Sequence, residues 1–190
     1  MRKKHSGHAL PILIILIVSL TFGGVFELFC LGVERISHPR DYRETVERYA
    51  AEYGVPEAVI YAMLKEQSDF DSTKQGKNGE IGLMQLTPAL YVKLATEVHD
   101  AGMNAAALYD PDTNIRYGTM YLSKLYTKYG MWSTVYAAWY TGEERVDAWL
   151  TDPDYIDPDF GTLQTVPDKK IAKAVKKAAK AQAIYEKLYY

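Results

Sequence analysis

The sequence is short of the residues from which cross-linked or metal-held folds are made. Its single cysteine among 190 residues cannot close an intramolecular disulfide. Cysteine and the four histidines show no spacing that suggests a zinc site. No stretch alternates polar and apolar residues at the period of a half-buried strand, and no segment repeats, so the body reads as all-α. Strong net charge is also missing, at -2 from 22 basic and 24 acidic groups. That balance averages three unlike regions. Residues 1–40 carry +3, residues 41–163 hold 10 basic against 20 acidic groups, and residues 164–190 carry +5. An acidic body excludes ordinary nucleic-acid binding, because phosphate contacts need a basic surface. A hydrophobic content of 48% with 24% charged residues excludes wholesale disorder, and the length suits one ordinary globular domain.

A long uncharged run is present at the N-terminus. After Arg2-Lys3-Lys4, the stretch Ala9 to Phe26 is 18 residues rich in Ile, Leu and Val, nearly enough as a helix to span a ~30 Å hydrocarbon core. Val25-Phe26-Glu27-Leu28-Phe29-Cys30 offers neither the small-x-small site of a cleaved signal nor the small residues of a lipoprotein signal. Residues 1–8 are therefore expected to be a cytoplasmic basic tail, 9–31 an uncleaved transmembrane signal-anchor and 32–40 a linker. Residues 41–190 are then expected outside the membrane. Cys30 is expected as a buried thiol at the membrane edge.

Beyond the linker the sequence is punctuated as a series of helices. Asp41 to Tyr53 closes at Gly54 in the position of a left-handed cap. Pro56 opens a helix with Val59, Ile60, Met63 and Leu64 at helical spacing, fading near Ser68–Phe70. Residues 71–82, with three glycines, read as a loop. Thr87-Pro88 caps a helix to about Asp100, and Asp110-Pro111 opens another that Gly130 stops. Trp132 to Trp139 and Val146 to Leu150 are shorter helices, and Thr151–Pro167 is loop. The last segment places apolar residues at 171, 174, 178, 181, 185 and 188 with lysines mostly opposite. Either that stripe packs on the domain, or it docks a partner helix, an acidic protein or an anionic surface.

Read in order, several blocks resemble the soluble-lytic-transglycosylase (SLT) domain, a goose-lysozyme-like fold acting on bacterial peptidoglycan. Tyr49-Ala50 with Tyr53-Gly54-Val55, then Ile60 to Lys65, resembles the first two helices of the family. Ser68-Asp69-Phe70-Asp71 resembles the end of its catalytic helix. Gly79-Glu80-Ile81-Gly82-Leu83-Met84-Gln85-Leu86-Thr87-Pro88 is similar to the family's Gly-Ala-x-Gly-Leu-Met-Gln-x-x-Pro. Asp110-Pro111, Asn114-Ile115, Gly118 and Tyr121-Leu122 follow in order. Ala137-Ala138, Gly142 and Val146-x-x-Trp149-Leu150 take the place of the Ala-Tyr-Asn-Ala-Gly motif, and Ile184-Tyr185-x-x-Leu188-Tyr189 resembles family C-termini. The resemblance implies a lysozyme-like helical domain over residues 40–190, behind one N-terminal membrane helix. Its partner would be the glycan strands of peptidoglycan; no protein partner is named by the sequence. The implied place is the cell membrane, single-pass, with the N-terminus cytoplasmic and the domain extracytoplasmic. A bacterium is implied, and a lone anchor without lipobox or cysteine pair suits a Gram-positive one.

The family's chemistry, so implied, cleaves the MurNAc–GlcNAc bond without water or cofactor. One glutamic acid protonates the leaving oxygen, then acts as base while the muramoyl 6-hydroxyl closes a 1,6-anhydro ring. Where the family has Glu-Ser, this chain has Gln67-Ser68. An amide keeps shape and hydrogen bonding but has no proton to give a leaving alkoxide. Glu80, in place of the family's Ala beside the cleft, is the candidate substitute. Glu66 is a weaker one, because one helical residue turns its side chain about 100° away. Ser68, Met84, Gln85, Tyr121 and Tyr140 are the positions implied to bind glycan. Gly76 stands where the family has Ser, Trp139 and Tyr140 replace Tyr and Asn, and Ala174 falls where a Tyr would reach the cleft. The expectation is a lytic-transglycosylase-like protein that binds glycan strands. It either cuts them through a substitute acid or persists as a catalytically inactive, glycan-binding envelope scaffold.

Overall fold

A computed structural model describes residues 9–100, 104–159 and 161–190, with the backbone alone described for 9–18 and 20. The first unit ends at Pro39 and the second is Arg40–Tyr190. In the first, helix α1 runs Ala9–Ser37. The linker expected over 32–40 is thus helical through Ser37, where the Ser37 hydroxyl donates to the Glu34 carbonyl at 2.9 Å. Only His38 and Pro39 separate the helix from the second unit. Phe22, Val25, Phe26, Leu28 and Phe29 are exposed on α1. Cys30 is exposed as well, and no described residue of its own unit covers it. Among the described residues no helix is long and apolar enough to cross a membrane. The run from Ala9 to Phe26 falls largely where side chains are not described, and the tail of residues 1–8 lies outside the described residues.

The second unit is built from α2 (Arg43–Tyr53), α3 (Glu57–Ser68), α4 (Pro88–Glu97), a 3-10 helix (Ala105–Tyr109), α5 (Pro111–Tyr129), α6 (Trp132–Thr141), α7 (Glu143–Trp149) and α8 (Lys169–Tyr189). Among the described residues there is no strand, only isolated bridges joining Gln75 to Ile81, Ile81 to Leu86 and Ile156 to Leu163. The caps are those the composition asks for. Thr87 accepts from the Leu90 amide ahead of Pro88, Asp110 from Thr113 ahead of Pro111, and Asp168 from Lys170 and Ile171, each satisfying donors a helix start leaves open. Gly54 and Gly130 end α2 and α5 in the left-handed region, which glycine adopts without strain because it has no Cβ.

Helix α3 is the axis of the core. Its residues 58–64 are all buried, so it is apolar on every side and packs on α2 and α8. Helix α8 covers it: Tyr185 stacks on Tyr61 with ring centroids 5.2 Å apart, and the Tyr136 hydroxyl on α6 donates to Gln182 at 2.7 Å. Val175, Ala178, Ala181, Tyr185 and Leu188 are buried. The apolar stripe of the last helix therefore closes the domain, and its lysines are left outward. Deleting residues 168–190 should abolish cooperative thermal unfolding by circular dichroism, because each large side chain lost from the core removes about 1.5–3 kcal/mol of the 5–15 kcal/mol that holds a domain. The point change Tyr185→Ala should cost about 3–5 kcal/mol. An unchanged melting curve after the deletion would make α8 a tail.

Candidate functional site

The site forms where α3 ends. Asp69 (φ +56°) and Phe70 (φ +65°) are consecutive left-handed residues, a costly turn for side chains larger than glycine. They stop the helix at Ser68 and leave Gln67 on its last turn. The loop 71–86 then folds back by tight internal bonds. Gly76 N–H donates to the Glu80 carbonyl at 2.8 Å, Gly82 N–H to Lys74 at 2.9 Å, and Ile81 and Leu86 exchange a pair at 2.9 and 3.1 Å.

Buried Asn114 on α5 is what fixes this loop. Its Oδ1 accepts from the Met84 amide at 2.7 Å, and its Nδ2 donates to the carbonyls of Ile81 at 2.9 Å and Leu108 at 2.7 Å. Gly82, at φ +79°, lies so close to Asn114 and the Leu108 carbonyl that a Cβ there would overlap both. The 3-10 helix Ala105–Tyr109, for which the sequence carried no signal, supplies that Leu108 carbonyl.

Gln67, Gly76, Lys77, Glu80, Gln85, Trp139 and Tyr140 line one cleft of about 260 Å3. The structure thus brings together Gln67, Glu80, Gln85 and Tyr140 of the expected residues. Gln67 is half-buried, and its Nε2 is shut from water with the Tyr140 hydroxyl as its neighbour; its backbone carbonyl accepts from Lys74 Nζ at 2.5 Å. Gln85 (φ +53°) is held by Nε2 donation to the carbonyls of Lys74 at 3.0 Å and Gly82 at 2.8 Å. Burial pushes the Tyr140 hydroxyl well above its ordinary range; the Glu66 charge adds to this and the Gln67 amide opposes it.

Among the described residues that line the cleft, Glu80 alone carries a carboxylate. Its Oε1 accepts from Asn78 Nδ2 and its Oε2 from the Asn78 amide, both at 2.9 Å. The Asn78 side chain, followed by backbone donors, holds the group below the usual carboxylate range. A Cβ on Gly76 would fall inside contact with Glu80 Oε2 and close on Gln85 Oε1. Gly76 and Glu80 are therefore one paired feature: the carboxylate occupies the room that a larger residue at 76 would need.

The other expected residues lie elsewhere. Ser68 is buried and spends its hydroxyl on the Leu64 carbonyl at 3.2 Å. Met84 is fully buried and presses on Gly118 of α5, so it is core beneath the loop. Tyr121 stands behind the wall, with its ring 5.4 Å from Trp139; burial, then Glu143, raises its hydroxyl above the ordinary range. Glu66 is half-buried outside the cleft. Sequence reasoning missed Lys77, a cation in the glycine loop that only the folded loop brings to the rim.

A helical body whose cleft opens at the end of a buried helix, under a Gly-Leu-Met-Gln loop, defines a lysozyme-like domain. The chain belongs to the transglycosylase SLT domain family, whose model matches residues 44–155. It is 26% identical over 151 residues to the soluble lytic murein transglycosylase of Escherichia coli, covering 77% of this chain and 23% of that protein. It is 32% identical over 90 residues to membrane-bound lytic murein transglycosylase C of Yersinia pestis, covering 46% and 25%. Among solved structures it resembles an inactive glutamate-to-glutamine mutant of the lytic transglycosylase Slt from Pseudomonas aeruginosa, with a TM-score of 0.71, 28% identity, and 81% and 25% of the two chains covered. The chain spans about a quarter of the length of these relatives.

Proposed function

We propose that this protein is a membrane-anchored, extracytoplasmic SLT-domain protein that binds peptidoglycan glycan strands in the cleft of Gln67, Glu80, Gln85, Trp139 and Tyr140, and does not cut them by the family's single-glutamate route. The observation that carries this is the cleft's proton inventory. Gln67 is an amide at the resemblance's acid position, and the carboxylate beside it, Glu80, is held ionised by Asn78. The glutamate-to-glutamine mutant of the Pseudomonas relative is inactive, which supports reading Gln67 the same way. The Gln67 amide and the Tyr140 hydroxyl meet in this cleft, a pair of polar groups that a sugar oxygen would engage. The exposed apolar face of α1, with its 29-residue helix, supports the anchor, in company with the uncharged run from Ala9 to Phe26.

A second reading has one observation in its favour: Glu80 shares the cleft with Gln67. In that reading Glu80 serves as base for the 6-hydroxyl, and cleavage to 1,6-anhydromuramoyl ends survives at a low rate. Purified sacculi decide between them. The full chain in detergent should co-sediment with sacculi and release no anhydromuramoyl products above background. Tyr140→Ala should weaken binding about 10-fold, the equivalent of about 1.4 kcal/mol. Products that vanish in Glu80→Gln would establish the second reading. Products that persist in both Glu80→Gln and Glu66→Gln would overturn the first reading and leave neither substitute acid standing, and failure to co-sediment at all would overturn glycan binding.

A further inference from the structure

Helix α8 has two faces, and packing explains only one. Lys169, Lys170, Lys173, Lys176, Lys177 and Lys180 are all exposed. At about 100° per residue they occupy an arc of about 120°, opposite buried Val175, Ala178, Ala181 and Tyr185. None of the six makes an ion pair among the described residues. Elsewhere in the domain cations are paired: at least seven of the ten basic side chains in residues 41–163 meet a carboxylate. Asp168, the acid nearest this face in sequence, is engaged by Arg145 at 3.0 Å and by the cap of α8. Six like charges on three helical turns repel one another, and among the described residues none of the 20 acidic groups of residues 41–163 pairs with them.

We infer that this lysine face adsorbs to an anionic phospholipid surface. The inference rests on the anchor proposed above. The C-terminal end of α8 lies where the chain enters the domain: the Arg40 guanidinium sits over the rings of Tyr189 at 5.2 Å and Tyr190 at 5.4 Å and pairs with Glu57 at 3.1 Å. Arg40 is covalently one residue from Pro39, the end of the first unit. An anchored chain therefore holds the end of the lysine helix at its tether, and the helix itself is about 30 Å long. Its exposed arc carries lysine flanked by alanine and no aromatic residue. Such a face is held at lipid headgroups by charge and does not insert, and salt weakens it.

The test uses the full chain mixed with liposomes of phosphatidylcholine, alone or with phosphatidylglycerol, reading flotation and the rate of lysine acylation by mass spectrometry. The expected result is flotation with both kinds, resistant to high salt. Acylation at Lys173, Lys176, Lys177 and Lys180 should slow at least about threefold on the anionic liposomes alone, with salt reversing it and Lys93 unaffected. Changing those four lysines to glutamine should free Lys169 and Lys170 of protection. Flotation with both liposomes but equal acylation overturns the lysine face and leaves the anchor standing. Flotation on anionic liposomes only, lost in salt, supports the face and overturns the anchor. Flotation with neither overturns both. Protection by a soluble polyol-phosphate polymer and not by liposomes overturns the membrane as the occupant.

Discussion

Gln67→Glu is expected to make the protein release anhydromuramoyl products from sacculi at least about 100-fold faster than the wild type, the low end of what a positioned general acid contributes. The change exchanges an NH2 group for oxygen and alters almost no volume. It puts a titratable proton where Gln67 now presents only a buried amide. A carboxyl there would lose hydration against Trp139 and Tyr140 and would meet the ionised Glu80 in the same cleft. Both effects favour its neutral form and raise its pKa. The Lys74 ammonium, 2.5 Å from the Gln67 carbonyl, opposes them. The sign follows. The group stays protonated above the ordinary carboxylate range, so turnover by Gln67→Glu should fall as pH rises through that raised pKa. The same raised pKa makes the variant less stable than the wild type at neutral pH, a penalty relieved on acidification. A correctly folded variant that releases no product would show that Gly76 and Tyr140 have cost the site more than its proton. Gly76→Ser alone is not a fair repair, because the Glu80 carboxylate fills its space; Glu80→Ala removes that overlap but leaves the Cβ at position 80 and Gln85 Oε1, each at 2.9 Å, to give way.

The fold was largely legible because helix starts and stops are local. Thr87-Pro88, Asp110-Pro111 and Gly130 sit where α4 and α5 begin and end, and the apolar positions of the last segment are those that bury Ala178, Ala181 and Tyr185. The missed 3-10 helix Ala105–Tyr109 has neither amphipathic period nor length; it exists because Leu108 is buried and its carbonyl is claimed by Asn114.

The site was legible as a neighbourhood and not as a set of roles. Which residues stand near Gln67 followed from block order. Whether a side chain faces the cleft depended on contacts far apart in sequence. Ser68 turns back on its own helix, and Met84 is drawn inward by Gly118. Glu80 looks in sequence like a free carboxylate. In the fold it is the partner of Asn78, two residues away, held by a turn that needs Gly76 and Gly79 (φ +85°).

Asn114→Ala is expected to cost about 3 kcal/mol or more and to lower the melting temperature by roughly 6–12 °C, by differential scanning calorimetry. The residue is fully buried and makes three hydrogen bonds, each to backbone of the cleft loop or of the 3-10 helix. Truncation strands the Met84 N–H and the Leu108 carbonyl away from water, at about 1–3 kcal/mol apiece, and takes one of two donors from the Ile81 carbonyl, which keeps the Leu86 amide. The damage should be local before it is global, with amide exchange at Met84 accelerating ahead of exchange in α3. Asn114→Asp separates the donor role from the acceptor role. A carboxylate still accepts from Met84 but points its second oxygen at two carbonyls, so burial and repulsion together raise its pKa. Its penalty is therefore full above that raised pKa and shrinks as pH falls through it, opposite in direction to Glu80, whose depressed pKa makes its contribution vanish on acidification. If Asn114→Asp is as stable as the wild type at neutral pH, the three-bond account of this loop is wrong. The cleft would then have to be held by Gly82 and the Ile81–Leu86 pair alone.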